Sequence, residues 1–314
     1  MQQRLNVSAR ARKFGVSALT IATLATLAAC GGGGGSAPTA TVSSMSVAAT
    51  KYGTPAMVTV VGTNLGNLTL QASGCKHVTR LTTAPTVSTD TTAYFSCTPS
   101  GAYTSTILAV SNGGTISQQP LSVPAPIVRM TVAGGGVNGD IVFNLKGDVA
   151  PITVDNFLAY VTAGFYNGTT VHRLVDQTNV LAGPEYDVIQ AGSYGPVTSG
   201  TLPAPKTGTF PPIAMETTGG KNVQWTAAMA RTADLNSATS GFFVNVKDNT
   251  VAFDTATTPG YAVFADVSGS AAILTQIAAI GQGGSSVCTP LAGFNDGSCV
   301  PIPNVTITSA TQTQ

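Results

Sequence analysis

The sequence predicts a mainly β protein: a small β-sandwich, then a closed antiparallel β-barrel carrying two helices over its open ends. Three observations point there. From residue 45 to 124, short runs rich in Thr, Val and Ser are punctuated by Gly, Pro and Asn about every 8–12 residues, the spacing of strands in a sandwich. From 127 to 311, two stretches alone have helical periodicity. The remainder of that segment consists of short strand candidates, and a closed barrel is the arrangement that leaves them no exposed edge.

The first residues read as a targeting segment. Arg4, Arg10, Arg12 and Lys13 form a basic start, followed by a mildly apolar run, Phe14 to Leu27, interrupted by Ser17, Thr20, Thr23 and Thr26. A spanning helix needs about 20 strongly apolar residues, which this run does not supply. It ends Leu27-Ala28-Ala29-Cys30, which resembles the cleavage box of bacterial lipoproteins. The resemblance implies a signal peptide over 1–29 and diacylglycerol on the Cys30 sulfur, anchoring the chain to a membrane. A Gly-rich tether comes next, Gly31 to Gly35 and on to Ser44, so that 30–44 form the lipidated linker. Gly rather than Asp after Cys30 implies an outer-membrane location in the cell envelope, facing the periplasm.

Cysteine usage agrees with an oxidising compartment. Setting Cys30 aside leaves four, and the simplest pairing is local: Cys75 with Cys97, Cys288 with Cys299. The two histidines, His77 and His172, and the absence of a Cys-x-x-Cys spacing argue against a zinc site, and no metal or cofactor is expected. Charged residues make up 9% of the chain, well below the usual ~25%. Losing the four basic residues of the signal segment takes the formal net charge from +1 to −3. Nothing in that balance suggests nucleic-acid binding, which requires a basic patch. A monomer is expected.

Within 45–124, residues 56–61, 68–72, 92–97 and 105–110 read as strands, and Val-x-Val-x-Gly-Thr-Asn-x-Gly from Val58 is similar to a run in Ig-like domains. This region is expected to be a spacer between the membrane and the C-terminal domain. Pro120 to Pro126 reads as a stiff linker. In the C-terminal domain, 127–311, Ile141, Phe143 and Leu145 alternate with Val142 and Asn144, as in a half-buried strand. A helix entered through Pro151, with Thr153 as its cap, carries the stripe Val154, Phe157, Leu158 and Val161. Ile273, Leu274, Ile277 and Ile280 form a second stripe, ended by Gly281. Residues 304–308 are expected as the last strand.

Three segments of this domain share a pattern. Residues 164–173 read Gly-Phe-Tyr-Asn-Gly-Thr-Thr-Val-His-Arg. Residues 229–245 read Met-Ala-Arg-Thr-Ala-Asp-Leu-Asn-Ser-Ala-Thr-Ser-Gly-Phe-Phe-Val-Asn, and 260–264 Gly-Tyr-Ala-Val-Phe. In this order and spacing they resemble the cyclophilin family of peptidyl-prolyl isomerases, over about residues 127 to 311. The resemblance implies a barrel covered by two helices and proline-containing polypeptides as partners.

Rotation about an X-Pro bond has a barrier of ~18–20 kcal/mol because it breaks amide resonance. No bond is made or broken, so the chemistry requires neither nucleophile nor metal. It requires a site that prefers the twisted amide to both planar isomers. An apolar pocket to grip the ring and one fixed donor near the imide suffice, and a guanidinium is suited to that donor role because it is permanently charged and rigid. The resemblance assigns Arg173 as the catalytic residue, and Phe243, Met229, Phe253, Val188 and Tyr261 as the proline pocket and its rim. Gln190 is assigned to hold the substrate backbone or orient Arg173. His172 is expected to be structural, because the reaction involves no proton transfer.

The chain also departs from the family pattern. Arg173 and Gln190 are further apart than usual, with Asp176 to Glu185 read as an inserted loop beside the site. The aromatic residue three before the Gln is Asp187, with Tyr186 next to it. The Gln of the Ser-Gln-Phe-Phe element is Gly241, and Gly positions of the family are Ala191, Trp225 and Ala265.

Overall fold

A computed structural model describes residues 38–176, 185–216, 220–255 and 260–314. The expected signal segment, Cys30, residues 31–37 of the expected tether and most of the expected inserted loop lie outside the described residues. The first strands are β1 Thr41–Val47, β2 Ala56–Thr63, β3 Thr69–Ala72, β4 Cys75–Arg80, β5 Thr92–Pro99, β6 Thr104–Ser111 and β7 Gly114–Ser122. They form two antiparallel sheets, ordered β1-β2-β5-β4 and β3-β6-β7. Val58, Val60, Ala93 and Phe95 of one sheet and Leu70, Ile107, Ala109 and Leu121 of the other are buried in one cluster. The expected disulfide Cys75–Cys97 is formed, across the neighbouring strands β4 and β5.

The remaining strands are β8 Ile127–Gly134, β9 Val137–Leu145, β10 Val171–Val175, β11 Val188–Ala191, β12 Thr226–Met229, β13 Phe242–Asn245, β14 Val263–Asp266, β15 Cys288–Pro290, β16 Cys299–Pro301 and β17 Thr306–Gln312. The helices are α1 Pro151–Thr162, α2 Thr250–Phe253 and α3 Ala271–Gly281. The ten strands make one sheet, β15-β16-β10-β11-β13-β12-β14-β9-β8-β17. Among the described residues no continuous strand ladder closes it into the barrel expected. β17 meets the segment leading into β10 through an isolated bridge, Thr170 to Thr306, and three backbone hydrogen bonds of 2.8 Å: the Gly168 N–H to the Ile307 carbonyl, the Ile307 N–H to the Thr169 carbonyl and the Val171 N–H to the Val305 carbonyl. Further along, β10 pairs instead with β16, Leu174 opposite Cys299. The hairpin β15–β16, tied by the Cys288–Cys299 disulfide, therefore takes up β10's edge.

One face of this sheet is packed by α1. Phe157 is fully buried and lies 4.7 Å from Phe264, 5.2 Å from Tyr166, 5.5 Å from Phe143 and 5.8 Å from Phe242, centroid to centroid. The apolar stripe expected for α1 is buried throughout, as are Leu274 and Ile277 of α3. One helix-end expectation fails. Thr153 lies inside α1, and the first turn is satisfied from a distance: Glu216 accepts the N–H of Ile152 at 3.1 Å, the N–H of Thr153 at 2.8 Å and the Thr153 hydroxyl at 2.7 Å. A carboxylate there also complements the helix dipole. α3 ends at Gly281 as expected.

The two regions belong to one compact unit, Thr39–Gln314, not to beads on a stiff linker. Pro120 is inside β7, opposite Thr106, so the connection shortens to 123–126. The tether is shorter than expected as well, since β1 already includes Thr41 to Ser44. Tyr52 packs where Gly147 has no side chain; a Cβ there would lie 2.6 Å from its ring. The Tyr103 hydroxyl donates to the Leu145 carbonyl and accepts the Gly147 N–H, both at 2.6 Å. Burial pushes the Tyr103 hydroxyl up to about 12, so it keeps its proton and its donor role at neutral pH. Tyr103→Phe leaves both backbone groups unpaired, and a loss of about 1–2 kcal/mol in a urea titration is expected.

Candidate active site

The site is built by the pleat of β10 to β13. In adjacent antiparallel strands, residues directly opposite share a face. Arg173 stands opposite Gln190, Gln190 opposite Phe243 and Phe243 opposite Ala228. The next row, Leu174, Ile189, Val244 and Ala227, points the other way into the main core. The first row instead borders a second cluster containing Val175, Val188, Ala228, Phe243, Ala252, Phe253 and Val263, with Tyr186, Ala230 and Tyr261 packed against it.

Above that cluster is a cleft of about 300 Å³, lined by Arg173, Tyr186, Val188, Gln190, Ala230, Arg231, Phe243, Ala252, Phe253 and Tyr261. Its aromatic rings meet edge to face: Phe243 and Tyr261 at 5.1 Å, Phe253 and Tyr261 at 5.0 Å, Phe243 and Phe253 at 5.6 Å. Of the expected site residues, Arg173, Gln190, Val188, Phe243, Phe253 and Tyr261 come together here. Met229 does not. It pairs with Phe242, and both lie in the main core, because a one-residue step along a strand reverses the face. The next residue, Ala230, lines the cleft instead.

The departures find physical reasons. Tyr186 takes the aromatic place, 5.1 Å from Phe253, while Asp187 turns to Lys247 at 3.5 Å. A side chain at Gly241 would come within 2.5 Å of the Ser193 hydroxyl, which fills that space. Trp225 adopts a φ of 62°, the left-handed conformation that a glycine takes at lower cost.

Arg173 is held on several sides. Its Nε–H donates to Ser298 Oγ at 2.8 Å and Nη1 donates to Gln190 Oε1 at 2.9 Å. Nη2 donates to the Tyr186 hydroxyl at 2.9 Å and to Asp296 Oδ2. The guanidinium also lies 4.9 Å from the centroid of Phe294. Burial raises the Asp296 carboxyl, but hydrogen bonds from Ser298 and Tyr186, then the charge and hydrogen bond of Arg173, outweigh it and bring it down to about 2. Phe294, Asp296 and Ser298 were not among the expected residues. All three lie on the loop between Cys288 and Cys299, whose disulfide spacing was legible but whose place beside β10 is a pairing across 125 residues of chain.

His172 sits at an irregularity in the β10–β11 pairing, is 1% exposed and packs against Tyr194 at 4.6 Å. Burial lowers it to about 4, with the neighbouring charge of Arg173 adding to the shift. It is neutral at pH 7, as a structural residue should be. Its folded value lies below the unfolded 6.5, so its contribution is complete above pH 6.5 and is lost as pH falls toward 4. The shift corresponds to about 3 kcal/mol. Urea midpoints of the parent chain are expected to fall over that window, and His172→Asn to flatten the fall.

A family model for cyclophilin type peptidyl-prolyl cis-trans isomerases matches residues 127–312. The chain belongs to the cyclophilin family. Similar cyclophilins include the peptidyl-prolyl cis-trans isomerase cyp18 of Streptomyces antibioticus, 38% identical over 176 residues, which are 55% of this chain and 92% of that protein. Isomerase B of Escherichia coli is 36% identical over 154 residues, 48% of this chain and 85% of that protein. Among solved structures, a Cryptosporidium parvum cyclophilin determined in the presence of the dipeptide Ala-Pro aligns with a TM-score of 0.41 at 17% identity, covering 60% of this chain and 99% of that one.

Proposed function

We propose that this cyclophilin accelerates cis/trans exchange at X-Pro bonds of extracytoplasmic polypeptides, with Arg173 stabilising the twisted imide and the aromatic cleft seating the proline ring. One observation carries the reading: Arg173, Gln190 and Phe243 form a cross-strand row on one wall of a cleft whose other lining is apolar and aromatic apart from Arg231, which lies over the Tyr261 ring. Twisting the imide localises the nitrogen lone pair, and a fixed guanidinium donor beside it interacts better with that state than with either planar isomer. Turnover of an Ala-Pro-Phe peptide tests this. Exchange that rises in proportion to protein supports it, and a folded chain that binds the peptide without accelerating exchange selects a binding role instead.

The envelope setting rests on the Leu-Ala-Ala-Cys run ending at Cys30 and is supported by the two disulfides. In this reading the chain acts as a lipid-anchored monomer, and the two N-terminal sheets are an Ig-like support packed against the isomerase domain. Intact mass of the mature protein tests the anchor: a chain beginning at lipid-modified Cys30 is expected, and an unmodified start elsewhere contradicts it.

A further inference from the structure

We propose that Asp296 is a positioning residue for isomerisation, fixing the Arg173 guanidinium so that one N–H, on Nη1, is left for the bound proline. The inference rests on the role of Arg173 proposed above. A guanidinium has five N–H groups. Ser298 takes the one on Nε, Gln190 one of the two on Nη1, and Tyr186 and Asp296 both of those on Nη2. The remaining N–H is on Nη1, the nitrogen beside Gln190, and both of these side chains line the cleft.

Asp296 is itself immobilised. Its Oδ1 accepts the backbone N–H of Ser298 at 3.1 Å and the Ser298 hydroxyl. Its Oδ2 accepts the Tyr186 hydroxyl at 2.7 Å as well as Arg173 Nη2. The loop carrying it is tied at its base by the Cys288–Cys299 disulfide and by the pairing of Cys299 with Leu174, the neighbour of Arg173. These contacts fix the carboxylate, and the carboxylate is the one charged partner of Nη2. Without it the guanidinium keeps only neutral partners, Ser298, Gln190 and Tyr186, and the remaining Nη1 N–H is held less firmly. Small misplacements of a reacting group are costly to rate but not to ground-state binding.

Asp296→Asn keeps the size of the side chain but removes the charge, and an amide N–H can be presented to Nη2 in place of an acceptor. With the full chain and an Ala-Pro-Phe peptide, kcat is expected to fall about tenfold with KM within about twofold. Ser298→Ala, which removes one hydrogen bond from Asp296 and the partner of the Nε–H, should lower kcat in the same direction by less. ¹⁵N spectra of the guanidinium provide a readout that a merely structural role does not move: separate Nη1 and Nη2 signals for Arg173 in the parent, averaged in Asp296→Asn. Arg173→Ala is measured alongside. If it stays active, the Arg173 reading fails and this inference with it. If it is inactive while both loop variants keep the parent kcat or exceed it, Arg173 stands and the positioning role is overturned.

Discussion

Arg173→Ala lowers the rate of proline exchange by about 10²–10³-fold, the scale of losing one preorganised donor at a developing charge, while peptide affinity changes little. In the proposed reading the aromatic cleft provides most of the ground-state grip, and Ala at 173 leaves Phe243, Phe253, Val188 and Tyr261 in place. A donor used chiefly in the twisted state appears in kcat and not in KM. The variant also leaves Asp296 without its cationic partner, and the pair is only partly buried, with 14% and 22% of the side chains exposed. A modest loss of stability is therefore expected, separable from the rate effect by working well below the unfolding midpoint. A tenfold rise in KM with unchanged kcat would place Arg173 in binding rather than in catalysis.

The second large effect is on stability. Phe157→Ala is expected to cost about 3–5 kcal/mol in a urea titration, the range for truncating a buried aromatic side chain. Phe157 is fully buried and touches four other rings from three strands and the segment after α1. It is thus the point at which α1 is fastened to the sheet. Phe242, one of its partners, is adjacent to Phe243 in the cleft, so the residual activity of folded Phe157→Ala protein should also drop. A cost below about 1 kcal/mol would mean that the core closes around the gap, which packing at crystal-like density does not allow.

Much of this organisation was legible in the sequence. The alternation of Ile141, Phe143 and Leu145 and the stripe of α1 are direct consequences of which face each element must bury, and they reappear in the fold. Arg173, Gln190 and Phe243 are found through motifs, and strand pairing brings them together. Met229 is misplaced by the same motifs because proximity in a motif does not state strand parity. Thr153 has the sequence signature of a cap, but the real partner, Glu216, comes from 63 residues away. Pro120 has the signature of a linker, but the strand that holds it tolerates a missing donor. Asp296 has no local signature at all. Its importance comes from one strand pairing, Leu174 with Cys299, that no periodicity announces.

The most direct test places the uniformly ¹⁵N-labelled chain and an Ala-Pro-Phe peptide in one NMR sample. Exchange cross-peaks between the cis and trans peptide should appear at substoichiometric protein, with amide shifts moving on β10, β11 and β13, in α2 and around Tyr261. A folded chain that leaves exchange at the buffer rate, or shifts confined to another surface, would contradict the assignment of this cleft as the isomerase site.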